Sequence, residues 1–367
     1  MILLNGNTDS AKHWVVATGS SSAIPSFPGL ESCDYITNKE IFSLQTLPAS
    51  LIVLGAGPIA IEMAQSFARL GSKVTVIQRS DQILSKEDKD MADIAMLSLE
   101  EDGVQFYLGV GVKEVRDLGQ KRQVIITDKS GAEIVVEGET LLVALGRKPN
   151  IEGLGLADID VRMSPKGIEV NRRLRTNHAH IYAPGDVNGA FQFTHAAGYE
   201  GGIVVSNAIF HLPRKANYTW MPWATYCDPE LASIGMNEKS AKAAGIEYQV
   251  WTEHFGENDR ALAEGEGRGK IKMLLDRSEK PLGVQVIGPR AGDLLGEWVA
   301  ILNGKVKLST MVGAIHPYPT LAEINKRVVG SYLSPKIFSP MIKKGLKFFF
   351  NLQGSSCDPQ SDPPSAQ

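Results

Sequence analysis

Hydrophobic residues occur along this chain in short runs that alternate with helical spacings, a pattern typical of α/β proteins. The most regular stretch lies between residues 51 and 80. The apolar runs Leu51–Leu54 and Val74–Ile77 each predict a buried strand. Between them, apolar residues recur at spacings of three and four, at Ile59, Met63, Phe67 and Leu70. They predict a helix that ends at Gly71, and the stretch is therefore a strand–turn–helix–strand unit.

The turn of this unit reads Gly55-Ala56-Gly57-Pro58-Ile59-Ala60. A glycine turn between a strand and a helix predicts dinucleotide binding. Gly55 permits the tight turn, Gly57 lets a pyrophosphate approach the backbone, and Ala60 lets the helix lie close to the strand. The start of the helix supplies N–H groups and partial positive charge for the phosphates. The alternative is a turn with a structural role only.

The end of the second strand indicates which nucleotide is bound. An NAD site usually has an Asp or Glu there for the ribose 2′-hydroxyl, but this sequence reads Gln78-Arg79-Ser80. The guanidinium of Arg79 suits a 2′-phosphate, because it can donate two parallel hydrogen bonds. We therefore expect NADPH to be preferred over NADH. The alternative is that Arg79 is an ordinary solvated residue at a strand end.

The remaining pattern predicts further elements on both sides of this unit. Residues 86–102 have helical spacing, short polar-flanked strands follow between residues 105 and 137, and residues 140–145 form another buried strand. Beyond residue 220, strands and helices mix as in an α+β domain.

The C-terminal stretch 333–367 is a tail with two parts. Lys336–Phe350 mixes lysines with large apolar residues, and it has two interpretations: a basic amphipathic helix on a membrane or partner surface, or a terminal helix packed on its own domain. From Ser355 onward, Ser, Pro, Asp and Gln dominate, which predicts disorder.

Composition and charge exclude several classes of function. The 367 residues suffice for two or three domains, and the net charge of −3 gives no indication of a nucleic-acid-binding surface. The N-terminus lacks the basic start and apolar run of a signal peptide, and no stretch approaches the roughly 18 apolar residues of a membrane span. We therefore expect a cytoplasmic protein. Cys33, Cys227 and Cys357 are far apart, which excludes a local redox pair and a zinc knuckle, and no metal site is expected.

Together these motifs resemble the pyridine nucleotide–disulfide oxidoreductases, the flavin-dependent family that includes dihydrolipoamide dehydrogenase, glutathione reductase and mercuric reductase. The resemblance covers about residues 1–330. The segments that carry it are Ala17-Thr18-Gly19, the GAGPIAIE turn, Gly146-Arg147-Lys148-Pro149-Asn150, Thr176–Asp186, Phe193-Thr194-His195-Ala196, Asp228–Gly235 and Arg260-Ala-Leu.

The resemblance implies a fold and its boundaries. The fold is α/β, with a Rossmann-like NAD(P)-binding domain inserted in a partial FAD-binding domain and followed by an α+β dimerisation domain. The implied regions are residues 1–45 (partial FAD domain), 46–148 (NAD(P) domain), 149–215 (FAD domain continued), 216–332 (dimerisation domain) and 333–367 (tail, partly disordered). A homodimer is implied as well.

The resemblance also implies which residues contact the cofactors. NADPH would lie along Gly55–Ala60, and Glu62 would lie next to the flavin. The further positions implied at or beside FAD are Thr18, Gly19, Gly146, Gly185, Asp186, Thr194 and His195. From the residues alone, Asp186 has two interpretations: a carboxylate presented by a glycine turn to a polyol such as the ribityl chain, or a cap for the next helix.

One departure from the family concerns the N-terminal part. The family's first GxGxxG motif and its CxxxxC redox pair have no counterpart in this sequence. A parallel sheet without its first βαβ unit would expose strand edges and an apolar face. We therefore expect either a fragment of a longer protein or a second chain that supplies the missing FAD segment.

A second departure concerns the acid–base residues. In the dithiol reductases of this family a His-Pro pair is followed by a Glu, and alignment on Pro319 and Glu323 puts Tyr318 at the catalytic histidine position. Mercuric reductases resemble the chain in having Tyr there, but the single Cys357 does not support mercury reduction. A tyrosine with a pKa of about 10 is a poor base at neutral pH. In a homodimer, Tyr318 and Glu323 would serve the partner's flavin; the alternative is a turn that caps the next helix.

These expectations combine into one function and one alternative. The function is an FAD-dependent oxidoreductase in which hydride passes from NADPH to flavin and then to an unknown small-molecule acceptor. We expect the chain to be inactive alone as a disulfide reductase. The alternative is a non-catalytic module that binds NADPH, dimerises and never holds FAD.

Overall fold

The computed structural model describes residues 2–4 and 7–351 of the chain. Its first strands are short: β1 (Ile2–Leu4), β2 (Asn7–Asp9), β3 (Trp14–Val15) and β4 (Ser20–Ser22). β1 and β2 pair with each other, whereas β3 and β4 pair with strands much later in the chain. The predicted disorder from Ser355 onward lies outside the described residues.

The central unit follows the pattern predicted from the sequence. Its elements are β5 (Ser50–Leu54), α1 (Pro58–Leu70), β6 (Lys73–Gln78), α2 (Lys89–Glu101), β7 (Gln105–Leu108), β8 (Gly111–Asp117), β9 (Arg122–Thr127), β10 (Glu133–Gly138) and β11 (Thr140–Val143). A parallel sheet has the order β11-β5-β6-β7, and an antiparallel sheet has the order β10-β9-β8. β5 is buried along its length except at Ser50, because helices or the second sheet cover both faces.

The chain then returns to its beginning. The next elements are β12 (Arg147–Pro149), β13 (Met163–Ser164), β14 (Gly167–Ile168), β15 (Ile181–Tyr182) and α3 (Thr194–Ala208). β15 pairs in parallel with β3, and β12 pairs antiparallel with β4. The central unit is therefore inserted into a region built from both flanking segments, as predicted.

Few elements cover the flanking region, which is built from the segments before and after the central unit. Its parallel sheet has only two strands within the described residues. Large apolar side chains near the end of α3 are exposed, Ile209 and Phe210 by 66% each and Leu212 by 54%. The expectation that a missing N-terminal unit leaves an apolar face uncovered stays a prediction.

The C-terminal region is an α+β domain, as predicted. Its elements are β16 (Pro222–Thr225), β17 (Glu230–Gly235), α4 (Glu238–Ala243), β18 (Tyr248–His254), α5 (Asp259–Glu264), β19 (Lys270–Asp276), β20 (Pro281–Gly288), α6 (Ala291–Gly304), α7 (Leu308–Gly313) and α8 (Glu323–Ile337). The antiparallel sheet has the order β16-β17-β20-β19-β18. Helices α6 and α8 cover it, and Trp298 and Val328 are fully buried between them and the sheet.

The last described helix is α9 (Pro340–Phe349), and none of its residues is buried. The interpretation of this segment as a helix packed on its own domain is therefore wrong for the described chain. None of the described helices is long and apolar enough to cross a membrane.

A buried lysine joins the central unit to the C-terminal sheet. The ammonium of Lys272 on β19 lies 2.7 Å from Asp88, 2.8 Å from Asp90 and 2.8 Å from Glu238. Asp88 also accepts hydrogen bonds from the N–H groups of Glu238 and Lys239 at the start of α4. These carboxylates surround the ammonium group of Lys272, so the cluster is a contact between the central unit and the C-terminal sheet.

Candidate functional site

The glycine turn between β5 and α1 leaves room for a ligand. Gly55 has φ of +105°, and a Cβ there would lie 2.5 Å from the carbonyl oxygen of Ala144. A Cβ at Gly57 would meet no atom within 4 Å. Ala60 is fully buried against the sheet. The turn therefore combines a backbone that requires glycine with open space beside Gly57.

The first turn of α1 has free donors. Pro58 occupies its first position, where a missing N–H costs nothing, and no side chain among the described residues caps the helix. The N–H groups of the first turn, with the positive end of the helix dipole, are suited to an anionic group.

Arg79 lies directly after β6 and is exposed. It makes no ion pair with any residue that the structure describes. The next acidic residue, Asp81, is paired with Lys129 at 2.6 Å. The strand end therefore presents an available guanidinium and no uncompensated carboxylate.

Glu62 lies on α1 and faces the C-terminal region. Its Oε1 accepts a hydrogen bond from the N–H of Tyr226 at 2.9 Å, and burial raises the pKa of its carboxyl group. Glu62 makes no ion pair with a lysine within the described chain.

The flanking region brings its two halves together at Thr18 and Gly146. The hydroxyl of Thr18 donates to the carbonyl of Asn150 at 2.6 Å, and the Asn150 amide donates back to the Thr18 carbonyl at 2.9 Å. Gly19 and Gly146 both adopt positive φ, +71° and +120°, and the Gly146 carbonyl accepts from the N–H of Ala23 at 2.9 Å. The crossing strands thus enter and leave the central unit side by side.

Asp186 is held by a polar network that the sequence analysis did not identify. Its Oδ2 accepts a hydrogen bond from the hydroxyl of Ser20. Arg147 Nε donates to the same Ser20 hydroxyl at 2.7 Å and lies 3.6 Å from Asp186 Oδ2. Asp186 Oδ1 accepts no hydrogen bond from the described residues. One carboxylate oxygen is therefore fixed and the other is available.

The alternative role of Asp186 as a helix cap is not what the structure has. No side chain caps α3, and the short 3-10 helix that begins at Asp186 also has no side-chain cap. The turn at Gly185-Asp186, the Asp186 corner, is fixed instead by Glu200, which is fully buried. Its Oε2 accepts from the N–H of Gly185 at 2.6 Å, and its Oε1 accepts from the hydroxyl of Tyr218.

Glu200 was not among the site residues predicted from the sequence. A carboxylate in the glycine-rich, mostly apolar helix 194–208 was the available signal, because a buried charge needs partners. Burial, followed by the hydrogen bond to Glu200 and its negative charge, raises the pKa of Tyr218 above its usual range. Tyr218 therefore remains a hydrogen-bond donor to Glu200.

Thr194 and His195 begin α3 but face different surroundings. Thr194 lines the cleft described below. The ring of His195 stacks on Phe193 with 5.3 Å between ring centroids, and its Nε2 lies 2.9 Å from the carbonyl oxygen of Pro222. The His195 side chain therefore contacts the C-terminal region, and it does not line this cleft.

A cleft of about 780 Å³ joins these parts. Residues from four separate segments line it, and the predicted site residues among them are Thr18, Gly19, Ile59, Gly185, Asp186 and Thr194. Ile59 belongs to the start of α1, whereas the others belong to the flanking region. The start of α1, directly after the glycine turn, and the Asp186 corner therefore line one space. Ser20, Arg147 and Gln192 line it as well.

Tyr318 and Glu323 lie at the start of α8, outside the cleft lining of this chain. Tyr318 is 70% exposed, and its hydroxyl donates to Asp259 at 2.9 Å. That hydrogen bond to a carboxylate raises the pKa of Tyr318. Glu323 accepts from the N–H of Thr320 at 3.4 Å, a contact of the helix-start turn. The two side chains form no hydrogen bond with each other.

His316 has a carboxylate partner of its own. Its Nε2 lies 3.0 Å from Glu297 Oε1, and Asn325 donates to the other oxygen of Glu297 at 2.9 Å. This pair stands two residues before Tyr318 and packs beside α6 and α8.

The described cysteines are buried and separate. Cys33 and Cys227 are both free thiols. Burial raises the pKa of Cys227 to about 12 and also raises the pKa of Cys33. Neither thiol is therefore a thiolate at neutral pH. Cys357 lies outside the described residues.

Two family models match the sequence. Residues 3–201 match the model described as pyridine nucleotide-disulphide oxidoreductase. Residues 221–329 match the dimerisation domain of the same name.

Curated relatives match most of the chain. A mercuric reductase of Staphylococcus aureus is 33% identical over 88% of this chain and 59% of its own length, and one of Bacillus cereus is 35% identical over 87% and 51%. A dihydrolipoyl dehydrogenase of Bacillus subtilis is 36% identical over 84% and 67%. The chain therefore spans between half and two thirds of the length of these relatives.

Solved structures with a similar fold include flavoproteins. The HOCl-induced flavoprotein disulfide reductase RclA from Escherichia coli aligns with a TM-score of 0.79 at 25% identity, over 87% of this chain and 73% of its own. LpdA from Mycobacterium tuberculosis aligns with a TM-score of 0.77 at 26% identity, over 87% and 69%.

Proposed function

Because this chain belongs to the pyridine nucleotide-disulphide oxidoreductase family, we propose that it carries the NADPH site, half of the FAD site and the dimer-forming domain of an FAD-dependent oxidoreductase. The observation that carries the proposal is the shared cleft. Ile59 at the start of α1 lines this cleft together with Thr18 and Asp186. A nicotinamide and a flavin must lie side by side for hydride transfer. FAD, when bound, takes up a hydride from NADPH and passes the electrons to an acceptor.

The glycine turn is proposed to hold the pyrophosphate of NADPH. The open space at Gly57 and the uncapped start of α1 fit a phosphate group. We propose that Arg79, which is exposed and has no ion pair in the described chain, binds the 2′-phosphate. The absence of an acidic residue at the end of β6 supports a preference for NADPH over NADH.

The Asp186 corner is proposed to hold the flavin side chain. Asp186 Oδ1 is the free acceptor for a polyol hydroxyl, while Ser20 and Arg147 fix the other oxygen. Glu200 holds the backbone of Gly185 in place. The residues present therefore fit this half of the group. Thr194 and His195 are proposed to place the backbone of α3 beside the flavin ring.

The exposed apolar face on α3 supports an incomplete flavin site. We propose that a complementary segment, from the same polypeptide or a separate chain, covers Ile209 and Phe210 and supplies the redox cysteines that this sequence lacks. The 367-residue chain alone is then inactive as a disulfide reductase. Measurable NADPH-dependent disulfide reduction by the isolated chain would overturn this point.

The C-terminal domain is proposed to form a homodimer, in keeping with the match to a dimerisation domain. In that dimer, Tyr318 and Glu323 would serve the flavin of the partner. The raised pKa of Tyr318 keeps its hydroxyl protonated at neutral pH, so it would act as a proton donor toward a small-molecule acceptor.

The nucleotide site can be tested with Gly57→Ala. A methyl group there meets no protein atom within 4 Å, so the thermal midpoint should stay unchanged. It would occupy the space proposed for the pyrophosphate, and the affinity for NADPH should fall about tenfold or more.

Gly330→Ala on α8 is the matched control, because a Cβ at this position also meets no atom within 4 Å. Its NADPH affinity, measured by fluorescence titration, should equal that of the wild type. Unchanged NADPH binding in Gly57→Ala would contradict the proposed site.

A further inference from the structure

Helix α9 exposes an unusual amount of apolar surface. The most exposed of its large apolar side chains are Met341 (82%), Phe348 (85%) and Phe349 (83%), followed by Leu346 (46%) and Ile342 (41%). No residue of the helix is buried. Large apolar groups gathered in one short helix are costly to leave in water, and such a patch marks an interaction surface.

The two kinds of residue in α9 occupy different faces. With about 3.6 residues per turn, Met341, Ile342 and Leu346 fall on one broad arc together with Phe348 and Phe349. The lysines fall on the opposite arc, and they are Lys343, Lys344 and Lys347. The helix is therefore amphipathic, with an aromatic-rich face and a purely basic face.

The charge of this segment is one-sided. Residues 333–351 contain four lysines and no Asp or Glu, although the whole chain has a net charge of −3. Lys336 pairs with Glu279 of the C-terminal domain. The three lysines of α9 make no ion pair with any residue that the structure describes. Their charge is complementary to an anionic surface.

We propose that α9 lies on the surface of a membrane that contains anionic phospholipids, with its apolar face among the acyl chains. A helix of 10 residues is about 15 Å long, roughly half the hydrocarbon thickness, so it rests on the bilayer and does not cross it. Its lysines would stay at the level of the lipid headgroups.

The distribution of aromatic rings favours a lipid surface over a protein groove. Phe348, Phe349 and Phe350 follow one another around the end of the helix, and they are exposed by 85%, 83% and 69%. Consecutive residues point in directions about 100° apart, so a single narrow groove would cover only part of them. A fluid interface can surround them all.

The test is co-sedimentation of the full 367-residue chain with vesicles. One set is phosphatidylcholine alone, and the other is an equimolar mixture of phosphatidylcholine and phosphatidylglycerol. The expected result is binding to the anionic set and little binding to the neutral set, because one helix of this size binds weakly without charge attraction.

Two variants separate the apolar and the basic contribution. Phe348→Ser with Phe349→Ser should reduce the bound fraction about tenfold or more. Reversal of the three lysines of α9 to Glu should weaken binding to anionic vesicles roughly a hundredfold. The side chains are exposed, so both variants should keep the circular dichroism and thermal midpoint of the wild type.

Matched controls use exposed residues elsewhere. Leu118→Ser removes an apolar side chain that is 57% exposed. A triple reversal to Glu uses three exposed lysines without an ion pair in the described chain, namely Lys12, Lys39 and Lys166. Both controls should bind anionic vesicles far better than the α9 variants.

Three results would overturn the proposal. One is no binding of the folded wild type to anionic vesicles, and another is binding that both α9 variants retain. The third comes from size-exclusion chromatography without lipid: if the phenylalanine variant converts a dimer to a monomer, α9 packs on a second copy of the chain.

Discussion

Gly55 and Gly57 lie two residues apart in one turn, but glycine is favoured at these two positions for different structural reasons. Gly55 has a positive φ, and a Cβ there would clash with the carbonyl of Ala144. Gly57 has an ordinary backbone conformation and open space beside it. Gly55 is thus required by the fold, whereas Gly57 is where a ligand would come closest to the backbone.

Arg79 is the residue on which the proposed preference for NADPH rests. Replacement by Ala removes a guanidinium that is exposed and has no ion pair in the described chain, so stability should not change. Loss of a charge-assisted contact to the 2′-phosphate should weaken NADPH binding about tenfold or more and leave NADH binding nearly unchanged.

The measurement for Arg79→Ala is a pair of fluorescence titrations, one with each nucleotide. Arg162→Ala, another exposed arginine without an ion pair in the described residues, serves as the control. Equal losses of affinity for NADPH and NADH would refute the assignment of Arg79 to the 2′-phosphate.

Tyr318 offers a prediction on pH. Its hydroxyl donates to Asp259, which stabilises the neutral phenol and raises its pKa. Asp259→Asn removes the negative charge, so the pKa of Tyr318 should fall toward the ordinary value of about 10.

Alkaline absorbance titration detects this tyrosine when each protein is compared with its Tyr318→Phe counterpart. Asp293→Asn, an exposed carboxylate on α6, should leave the titration unchanged. If Asp259→Asn also leaves it unchanged, Asp259 does not control the protonation of Tyr318.

The segment between β6 and α2 is the element that fixes the central unit on the C-terminal sheet. Glu87 in this segment is 4% exposed. It accepts hydrogen bonds from the indole of Trp223, and from Ser233 and Gln285 at 2.8 Å each. Lys272 lies nearby among its three carboxylates. Buried polar groups at this junction specify one orientation of the two parts.

Glu87→Ala should lower the free energy of unfolding by about 1–3 kcal/mol at acidic pH, because it leaves the buried donors on Trp223 and Gln285 without an acceptor. Burial raises the pKa of Glu87 in the folded state. The contribution of Glu87 to the free energy of unfolding is therefore complete below its pKa in the unfolded chain, about 4.3. This contribution declines as the pH rises through the higher pKa of the folded state.

Urea unfolding at several pH values checks this prediction. The wild type should lose stability relative to Glu87→Ala over the window that begins near the unfolded pKa. Glu266→Ala, an exposed glutamate without an ion pair in the described chain, should follow the wild type at every pH. A constant difference between wild type and Glu87→Ala across the window would contradict the sign of the shift.

Helices and strands were predictable from the sequence where the residues that determine them are close together in the chain. The apolar run of β5, the helical spacing of α1 and the stop at Gly71 are all confirmed. The network of Ser20, Arg147 and Asp186 was not predicted, because it joins residues 127 and 166 positions apart. Hydrophobic periodicity does not predict such contacts, because they depend on the pairing of β4 with β12.

At the scale of the whole molecule, the inserted architecture followed from the order of motifs, and the structure confirms it through the pairing of β3 with β15. The apolar side chains that follow α3, such as Ile209 and Phe210, are not covered by other parts of the described chain. We have proposed that a complementary segment covers this face beside the proposed flavin half-site.

The most direct measurement is the visible absorption spectrum of the purified chain after incubation with FAD and desalting, followed by titration with NADPH. The account predicts saturable NADPH binding without a retained flavin band. A retained flavin band that bleaches with NADPH, together with disulfide reduction by the chain alone, would contradict the incomplete flavin site. Failure to bind NADPH at all would contradict the nucleotide site from which the proposal starts.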